Sequence, residues 1–198
     1  MKKRLMMLFI GNTIASFGIT CLIKSGLGCF SVTAANIALA NWLGVTIGIS
    51  GMIVEAVMLL VALKLGEGIG VATIVNTIYG SLSIDFFNAI LPITHPLMGL
   101  GLLLVPFGWG LVAKAGLSES ASNILMNGLL KKTGKSITVI RSIQEVILLV
   151  VGFLGARNQV TLFTVALTLF LGKLIQVEYN AMKFDPTTVE HRYIIKGK

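Results

Sequence analysis

The sequence is poor in charged residues, and this scarcity already limits what the protein can be. Of its 198 residues only 12% are charged and 55% are hydrophobic, and the mean hydropathy is +0.90. A soluble globular domain needs a larger polar surface, so the composition excludes that class. We expect an integral membrane protein whose main partner is the lipid bilayer.

Cysteine and histidine are also scarce, with two residues of each kind. Cys21 and Cys29 form no C-x-x-C motif and have no neighbouring histidine, while His95 and His191 have no nucleophile close in sequence. These absences argue against a metal or redox centre and against a Ser-His-Asp or Cys-His site. Neither a cofactor nor an enzymatic activity is expected.

Two further classes are excluded by spacing and by charge distribution. The stretch "GLLKKTGKS" at 128–136 resembles a phosphate-binding loop, but five residues separate its glycines where that loop has four, and no strand precedes it. The net charge of +8 comes from basic residues that are neither interleaved with aromatic residues nor gathered on a soluble domain. Nucleic acid is therefore not an expected partner.

Long apolar runs are what the sequence has in abundance. Six segments approach the ~20 residues that a helix needs to cross a bilayer: about 5 to 23, 47 to 65, 70 to 91, 97 to 113, 137 to 154 and 159 to 178. The connections 24–46 and 114–136 contain "VTAANIALANWLG" and "ASNILMNGLL", which are too short to span. We expect each to form a short interfacial or re-entrant helix.

The basic residues indicate how these spans are oriented. If the N-terminus is cytoplasmic, only Lys24 and Arg157 among all lysines and arginines fall on the outer side. Such a bias follows the positive-inside rule. We therefore expect a multi-pass protein of the bacterial inner (plasma) membrane with both termini in the cytoplasm.

The chain also resembles itself when it is shifted by 90 residues. The shift pairs Phe17-Gly18 with Phe107-Gly108, Lys24 with Lys114, Gly26-Leu27 with Gly116-Leu117, Gly44 with Gly134, and Glu55 with Glu145. Three spans per copy is an odd number, so the second copy must be inverted, as in many secondary transporters. The predicted fold is an all-α polytopic membrane protein with two inverted three-helix repeats, 1–96 and 97–178, followed by a polar cytoplasmic tail, 179–198.

These segments carry a resemblance to a known family. "FGITCLIKSGLG", "WLGVTIG", "GIGVATIVNTIYGSLSIDFF" and "FGWGLVAKAGLSESASNILMNGLLKKTGKSITVIRSIQEV" together resemble the YczE/YyaS/YitT-like bacterial integral membrane proteins, over roughly residues 8 to 180. The family tends to have a proline and an aspartate soon after the glycines, where this chain has Phe30-Ser31-Val32-Thr33 and Ser120-Ala121-Ser122-Asn123. The resemblance implies the architecture rather than an activity.

Glu55 and Glu145 are the strongest candidates for functional residues. Each lies about nine residues into its predicted helix, which is about 13 Å deep in the membrane. A carboxylate at that depth costs a few kcal/mol of free energy, about 3 kcal/mol on insertion scales. Its default interpretation is therefore a functional one. Arg141, one turn before Glu145, is expected to pair with it, whereas Glu55 has Gly51 one turn back and is expected to exchange a proton. Interhelical hydrogen bonding and substrate contact stay open as alternatives.

Other polar residues are candidates for a binding site. Lys24 and Lys114 lie at equivalent helix ends, where they either reach the headgroups or form anion sites with the short helix that follows. Asn36 and Asn123 could line a cavity or satisfy backbone groups, and Asp85 lies near the end of the third span.

Three functions remain compatible with this sequence. The first is a small secondary transporter for an unidentified polar or anionic solute, with proton coupling at Glu55. The second is the membrane-embedded binding subunit of a larger importer, and the third is a non-transporting scaffold or regulator of membrane partners. Glycine-lined helix faces also make a homo-oligomer possible.

Overall fold

The computed structural model describes residues 2–115, 120–166, 168–169 and 195–196, most of which are helical. The α-helices are α1 Lys2–Ser25, α2 Ser31–Leu43, α3 Ile47–Lys64, α4 Val71–Ile90, α5 Leu97–Ala115, α6 Ala121–Thr133 and α7 Ile137–Gly155. A 3₁₀ turn follows at Arg157–Gln159, and residues 162–166 are again helical. Five of the six expected spans are thus helices with nearly the expected bounds. Most of the sixth, 159–178, lies outside the described residues.

Length and composition make several of these helices suitable for a bilayer. α1, α3 and α7 are each long and apolar enough to cross a membrane, and α5 contributes a shorter apolar segment, Leu97–Val112. Large apolar side chains remain exposed along them, for example Leu60 on α3 and Leu154 on α7. Side chains of this kind suit contact with lipid.

The internal repeat is visible in the bounds of the helices. α2 and α6 both have 13 residues and end at glycines with left-handed backbone, Gly44 at φ 66° and Gly134 at φ 64°. The following helices, α3 and α7, both begin three residues after that glycine, and each is preceded by a hydroxyl cap, Thr46 or Ser136. All of these positions differ by 90. The repeated sequence therefore specifies the same helix–glycine–helix unit in both halves.

α1 and α5 pack closely against each other. A Cβ atom on Gly11 would lie 2.8 Å from the carbonyl oxygen of Gly108, and one on Gly101 would lie 2.7 Å from the carbonyl oxygen of Gly18. The two contacts are equivalent under the shift of 90, because Gly11 corresponds to Gly101 and Gly18 to Gly108. Residue numbers rise on α1 as they fall on α5, so the two helices are antiparallel.

Each short helix packs against the long helix of the other half. α2 lies along α7, where Gly152 contacts Ala34 and Gly155 contacts Ala38, and α6 lies along α3, where Gly128 contacts Leu65. The small residues allow close approach of the backbones. The two halves therefore exchange contacts, since the short helix of each half packs on a long helix of the other.

α4 bridges α1 and α3 within the first half. Asn12 donates to Asn76, and the hydroxyls of Thr13 and Tyr79 are 2.8 Å apart. These contacts place a line of polar groups between two apolar helices. Hydrogen bonds of this kind hold helices together where water is absent.

A short pair of strands is a feature that the sequence does not predict. β1, Gly68–Ile69, pairs antiparallel with β2, Ile195–Lys196. β2 is the only part of the expected tail, 179–198, among the described residues. It connects the end of the chain to the segment between α3 and α4.

Candidate functional site

Glu145 lies in the middle of α7 and is enclosed by protein, with only 1% of its surface exposed. Its Oε1 atom is 2.8 Å from Nη2 of Arg141, one helical turn earlier. Its Oε2 atom accepts a hydrogen bond from the hydroxyl of Ser31, the first residue of α2. The ion pair expected from the spacing is therefore present, and the start of α2 adds a hydrogen-bond donor. A helix N-terminus also favours a nearby negative charge.

Arg141 links this carboxylate to the second short helix. Its Nη1 atom donates to the hydroxyl of Ser122 at 2.6 Å and to Oδ1 of Asn123 at 3.5 Å. Gln144 donates from Nε2 to the carbonyl oxygen of Ser122 at 3.4 Å. The first turns of α2 and α6 thus both reach the middle of α7. Of the candidate residues, the structure brings Glu145, Arg141 and Asn123 together here.

Glu55 occupies the equivalent place on α3 but has different neighbours. The hydroxyl of Thr77, on α4, donates to its Oε2 atom. At the positions equivalent to Arg141 and Ser31, the chain has Gly51 and Ala121. Glu55 is only partly buried. The two glutamates therefore share a position in the repeat but not an environment.

Asn36, on α2, lies beside Gly51, which is one turn along α3 from Glu55. The backbone carbonyl oxygen of Asn36 accepts a hydrogen bond of 2.6 Å from the hydroxyl of Ser50. Its side-chain nitrogen is 3.1 Å from the place where a Cβ atom of Gly51 would lie. Asn36 is therefore on the Glu55 side of the molecule, apart from Asn123.

Asp85 lies on α4, and its side chain contacts the first turn of α3. It accepts a hydrogen bond of 2.5 Å from the hydroxyl of Thr46 and another of 2.7 Å from the backbone nitrogen of Gly48. A carboxylate at this place satisfies backbone donors and complements the helix dipole. This arrangement accounts for Asp85 as a residue that joins α4 to α3.

Lys24, the first of the two lysine candidates, lies at the end of α1. Lys24 is in the last turn of α1, partly exposed, and its carbonyl oxygen accepts a hydrogen bond of 3.0 Å from Thr94. The adjacent Ser25 carbonyl is 2.7 Å from Nδ1 of His95. The side chain of its counterpart, Lys114, lies outside the described part of the structure.

Sequence reasoning missed the hydrogen-bond partners that other helices supply. Ser31, Thr77 and Ser122 are ordinary small polar residues in sequence, and only the packing of α2, α4 and α6 brings them to the charged groups. An ion pair between Glu67 and Lys131, with Nζ 2.8 Å from Oε1, was also missed. The shift of 90 pairs Lys131 with Asn41, whose side chain donates to the carbonyl oxygen of Gly155 at 2.8 Å. The repeat indicates that Lys131 and Asn41 play equivalent parts, because one bonds to a residue just after α3 and the other to the last residue of α7.

These features define a helical membrane protein with an interior ion pair. The chain belongs to the family of unknown function DUF6198, whose model matches residues 2–180.

Two relatives support this assignment. The uncharacterized membrane protein YczE of Bacillus subtilis (strain 168) is 28% identical over 149 residues, which cover 71% of this chain and 69% of the relative. An uncharacterized protein of Haemophilus influenzae (strain ATCC 51907 / DSM 11121 / KW20 / Rd) is 27% identical over 184 residues, 90% of this chain and 84% of the relative. No solved structure matches the chain. The expected YczE-like family is confirmed.

Proposed function

We propose that this protein is a small secondary transporter for a polar or anionic solute, built from two inverted three-helix repeats. The antiparallel packing of α1 against α5 supports the inversion, because these helices begin the two repeats and their glycine contacts are reciprocal. The bias of basic residues toward one side supports cytoplasmic termini. No enzymatic step is part of the proposal.

The short helices are proposed to be re-entrant. α2 begins beside Glu145, in the middle of α7, and ends beside Gly155, at the end of α7. At 1.5 Å per residue these points are about 15 Å apart along α7, which is half of a ~30 Å hydrocarbon core. A helix that starts at the midplane and runs to the surface places its N-terminus where transporters bind solutes.

The observation that carries the transport proposal is the difference between the two glutamates. Glu145 is fully enclosed and paired with Arg141, so it is suited to join helices. Glu55 is partly exposed and has a neutral hydroxyl partner, Thr77. A carboxyl group in that setting can bind a proton on one side and release it on the other. The neutral form crosses a low-dielectric region at much lower cost than the charged form.

Vesicles that contain the purified protein and an internal pH-sensitive dye test this proposal. We expect an imposed pH gradient to drive uptake of at least one solute from a panel of phosphate, sulfate, short monocarboxylates and neutral amino acids. Glu55→Gln should abolish the coupled proton movement, while Glu67→Gln, which removes a carboxylate elsewhere, should retain it. Proton-coupled uptake that persists in Glu55→Gln would exclude Glu55 as the coupling residue.

A non-transporting scaffold is the second candidate, and one observation favours it. Both glutamates already have protein partners, and the glycine contacts between α1 and α5 leave backbones in close approach. A scaffold predicts that no solute of the panel moves under any gradient and that none shifts the melting temperature. Uptake of any one solute above empty vesicles decides for the transporter.

A further inference from the structure

Glu55 has the Thr77 hydroxyl of α4 as a neighbour, and polar side chains of α2 and α4 lie one helical turn away, beside Gly51. Thr77 and Ser81 are four residues apart on α4, and Gly51 and Glu55 are four residues apart on α3. Residues at this spacing lie on one face of a helix, roughly 5–6 Å apart. The hydroxyl of Thr77 donates to Glu55, and the hydroxyl of Ser81 would be 3.6 Å from a Cβ atom on Gly51. The facing surfaces of α3 and α4 therefore form one strip with two levels, Glu55 with Thr77 at the first and Gly51 with Ser81 at the second.

α2 adds an amide side chain at the level of Gly51 and Ser81. The Nδ2 atom of Asn36 lies 3.1 Å from the place where a Cβ atom of Gly51 would be, and Oδ1 of the same amide is buried without a hydrogen-bond partner among the described residues. A buried carbonyl oxygen without a partner costs free energy, about 1–3 kcal/mol. Such groups in native proteins call for an explanation, which is often an ion or a water.

The repeat shows which charge this strip is suited to receive. In the second half, the carboxylate of Glu145 is balanced by the guanidinium of Arg141, 2.8 Å away. In the first half the equivalent position is Gly51, which leaves the carboxylate of Glu55 without that built-in cation. Arg141 therefore supplies a positive charge in the second half that Gly51 cannot supply at the equivalent position of the first half.

We propose that Glu55, Asn36, Thr77 and Ser81 form a binding site for a small monovalent cation, Na⁺ or Li⁺, that competes with a proton for the Glu55 carboxylate. Carboxylate, amide and hydroxyl oxygens are the ligands that hard cations prefer. One carboxylate balances one positive charge, whereas protein sites for Ca²⁺ use six to eight oxygens and commonly several carboxylates. The role of this cation as a coupling ion rests on the proposed transport function, but its binding does not.

Melting of the full chain in detergent tests the site directly. Na⁺, Li⁺ and K⁺ are compared at pH 8 with N-methylglucamine as the inert cation at the same ionic strength. We expect Na⁺ or Li⁺ to raise the melting temperature in a saturable manner, and the increase to shrink at pH 5.5, because protons compete more strongly for the Glu55 carboxylate at the lower pH. Asn36→Ala should weaken the apparent affinity roughly tenfold, since a ligand to a charged group is lost.

Matched variants locate the effect. Glu55→Gln should lose the cation response, and Glu67→Gln should keep it. A measurement on the unaltered chain complements the variants, because addition of Na⁺ in weakly buffered solution should release protons. A response that survives in Glu55→Gln, or an unaltered chain that neither gains stability nor releases protons with any of the three cations, would overturn the proposal.

Failure of this site and failure of the transport proposal give different results. If cation binding depends on Glu55 but the vesicles move no solute, the cation site is supported and the transport proposal is contradicted. Proton-coupled uptake in vesicles without any cation response keeps the transporter and removes the site.

Discussion

At the scale of single residues, two glutamates at equivalent positions differ because two neighbours differ. Arg141 and Ser31 give Glu145 an ion pair and a hydroxyl donor, and glycine and alanine stand at the matching positions near Glu55. A buried charge is stable only when it is paired and hydrogen-bonded. Two differences between the halves therefore give the two carboxylates different partners, and under the proposed function only Glu55 exchanges a proton.

The ion pair of the second half can be tested by removing its cation. Arg141→Ala should lower the free energy of unfolding by about 3 kcal/mol, because Glu145 would remain buried without a counter-ion. Melting in detergent measures this, with Arg157→Ala as the control. Arg157 is exposed and stacks on the Phe153 ring at 5.2 Å, so its loss should cost less than about 1 kcal/mol. Equal effects of the two substitutions would contradict the structural role of Arg141.

Asp85 offers a test that separates stability from transport. Asp85→Ala removes the contacts to Thr46 and to the Gly48 nitrogen, which should cost about 1–2 kcal/mol, as for other helix caps. Solute uptake per folded protein should be unchanged. Loss of uptake with an unaltered melting temperature would instead place Asp85 in the binding site.

At the scale of elements, glycines decide where helices touch. A Cβ atom on Gly108 would lie 2.5 Å from the backbone nitrogen of Ala15, whereas one on Gly110 would have no atom within 4 Å. The two glycines are on the same helix, two residues apart, and they differ only in what faces them. Contact between α1 and α5 therefore depends on one face of α5.

This difference gives a matched pair of variants. Gly108→Ala should destabilise the protein by about 1–3 kcal/mol, because α1 must move or strain. Gly110→Ala should be neutral or slightly stabilising, since alanine favours a helix by up to ~1 kcal/mol over glycine. Thermal melting in detergent compares them, and a larger loss for Gly110→Ala would show that the packing of α1 on α5 is wrong.

Element positions were largely predictable, whereas their partners were not. The apolar runs predict the helices, and the glycines that end "ALANWLG" and "GLLKKTG" predict where α2 and α6 end, because membrane length and left-handed turns impose strict local requirements. The pairing of Arg141 with Glu145 also follows from a four-residue spacing. The hydroxyls of Ser31 and Thr77 reach the glutamates only through contacts between distant helices, and no local pattern records such contacts.

At the scale of the whole molecule, the expected orientation can be tested by labelling. Ile93 lies between α4 and α5 and is 80% exposed, and Lys132 is exposed near the end of α6. Single cysteines at these places, in a chain with Cys21 and Cys29 changed to serine, should react differently with an impermeant maleimide. Ile93→Cys should be labelled in intact bacteria, and Lys132→Cys only after the membrane is opened. The reverse pattern would place the termini outside.

The inequivalence of the two glutamates can be measured without knowing the solute. A hydrophobic carbodiimide reacts with protonated carboxyl groups inside membranes, and mass spectrometry of the digested protein identifies the modified residue. We expect modification of Glu55 that decreases as pH rises, while Glu145 stays unmodified beside Arg141. Modification of Glu145 to the same extent as Glu55, or no reaction of Glu55 at any pH, would contradict it.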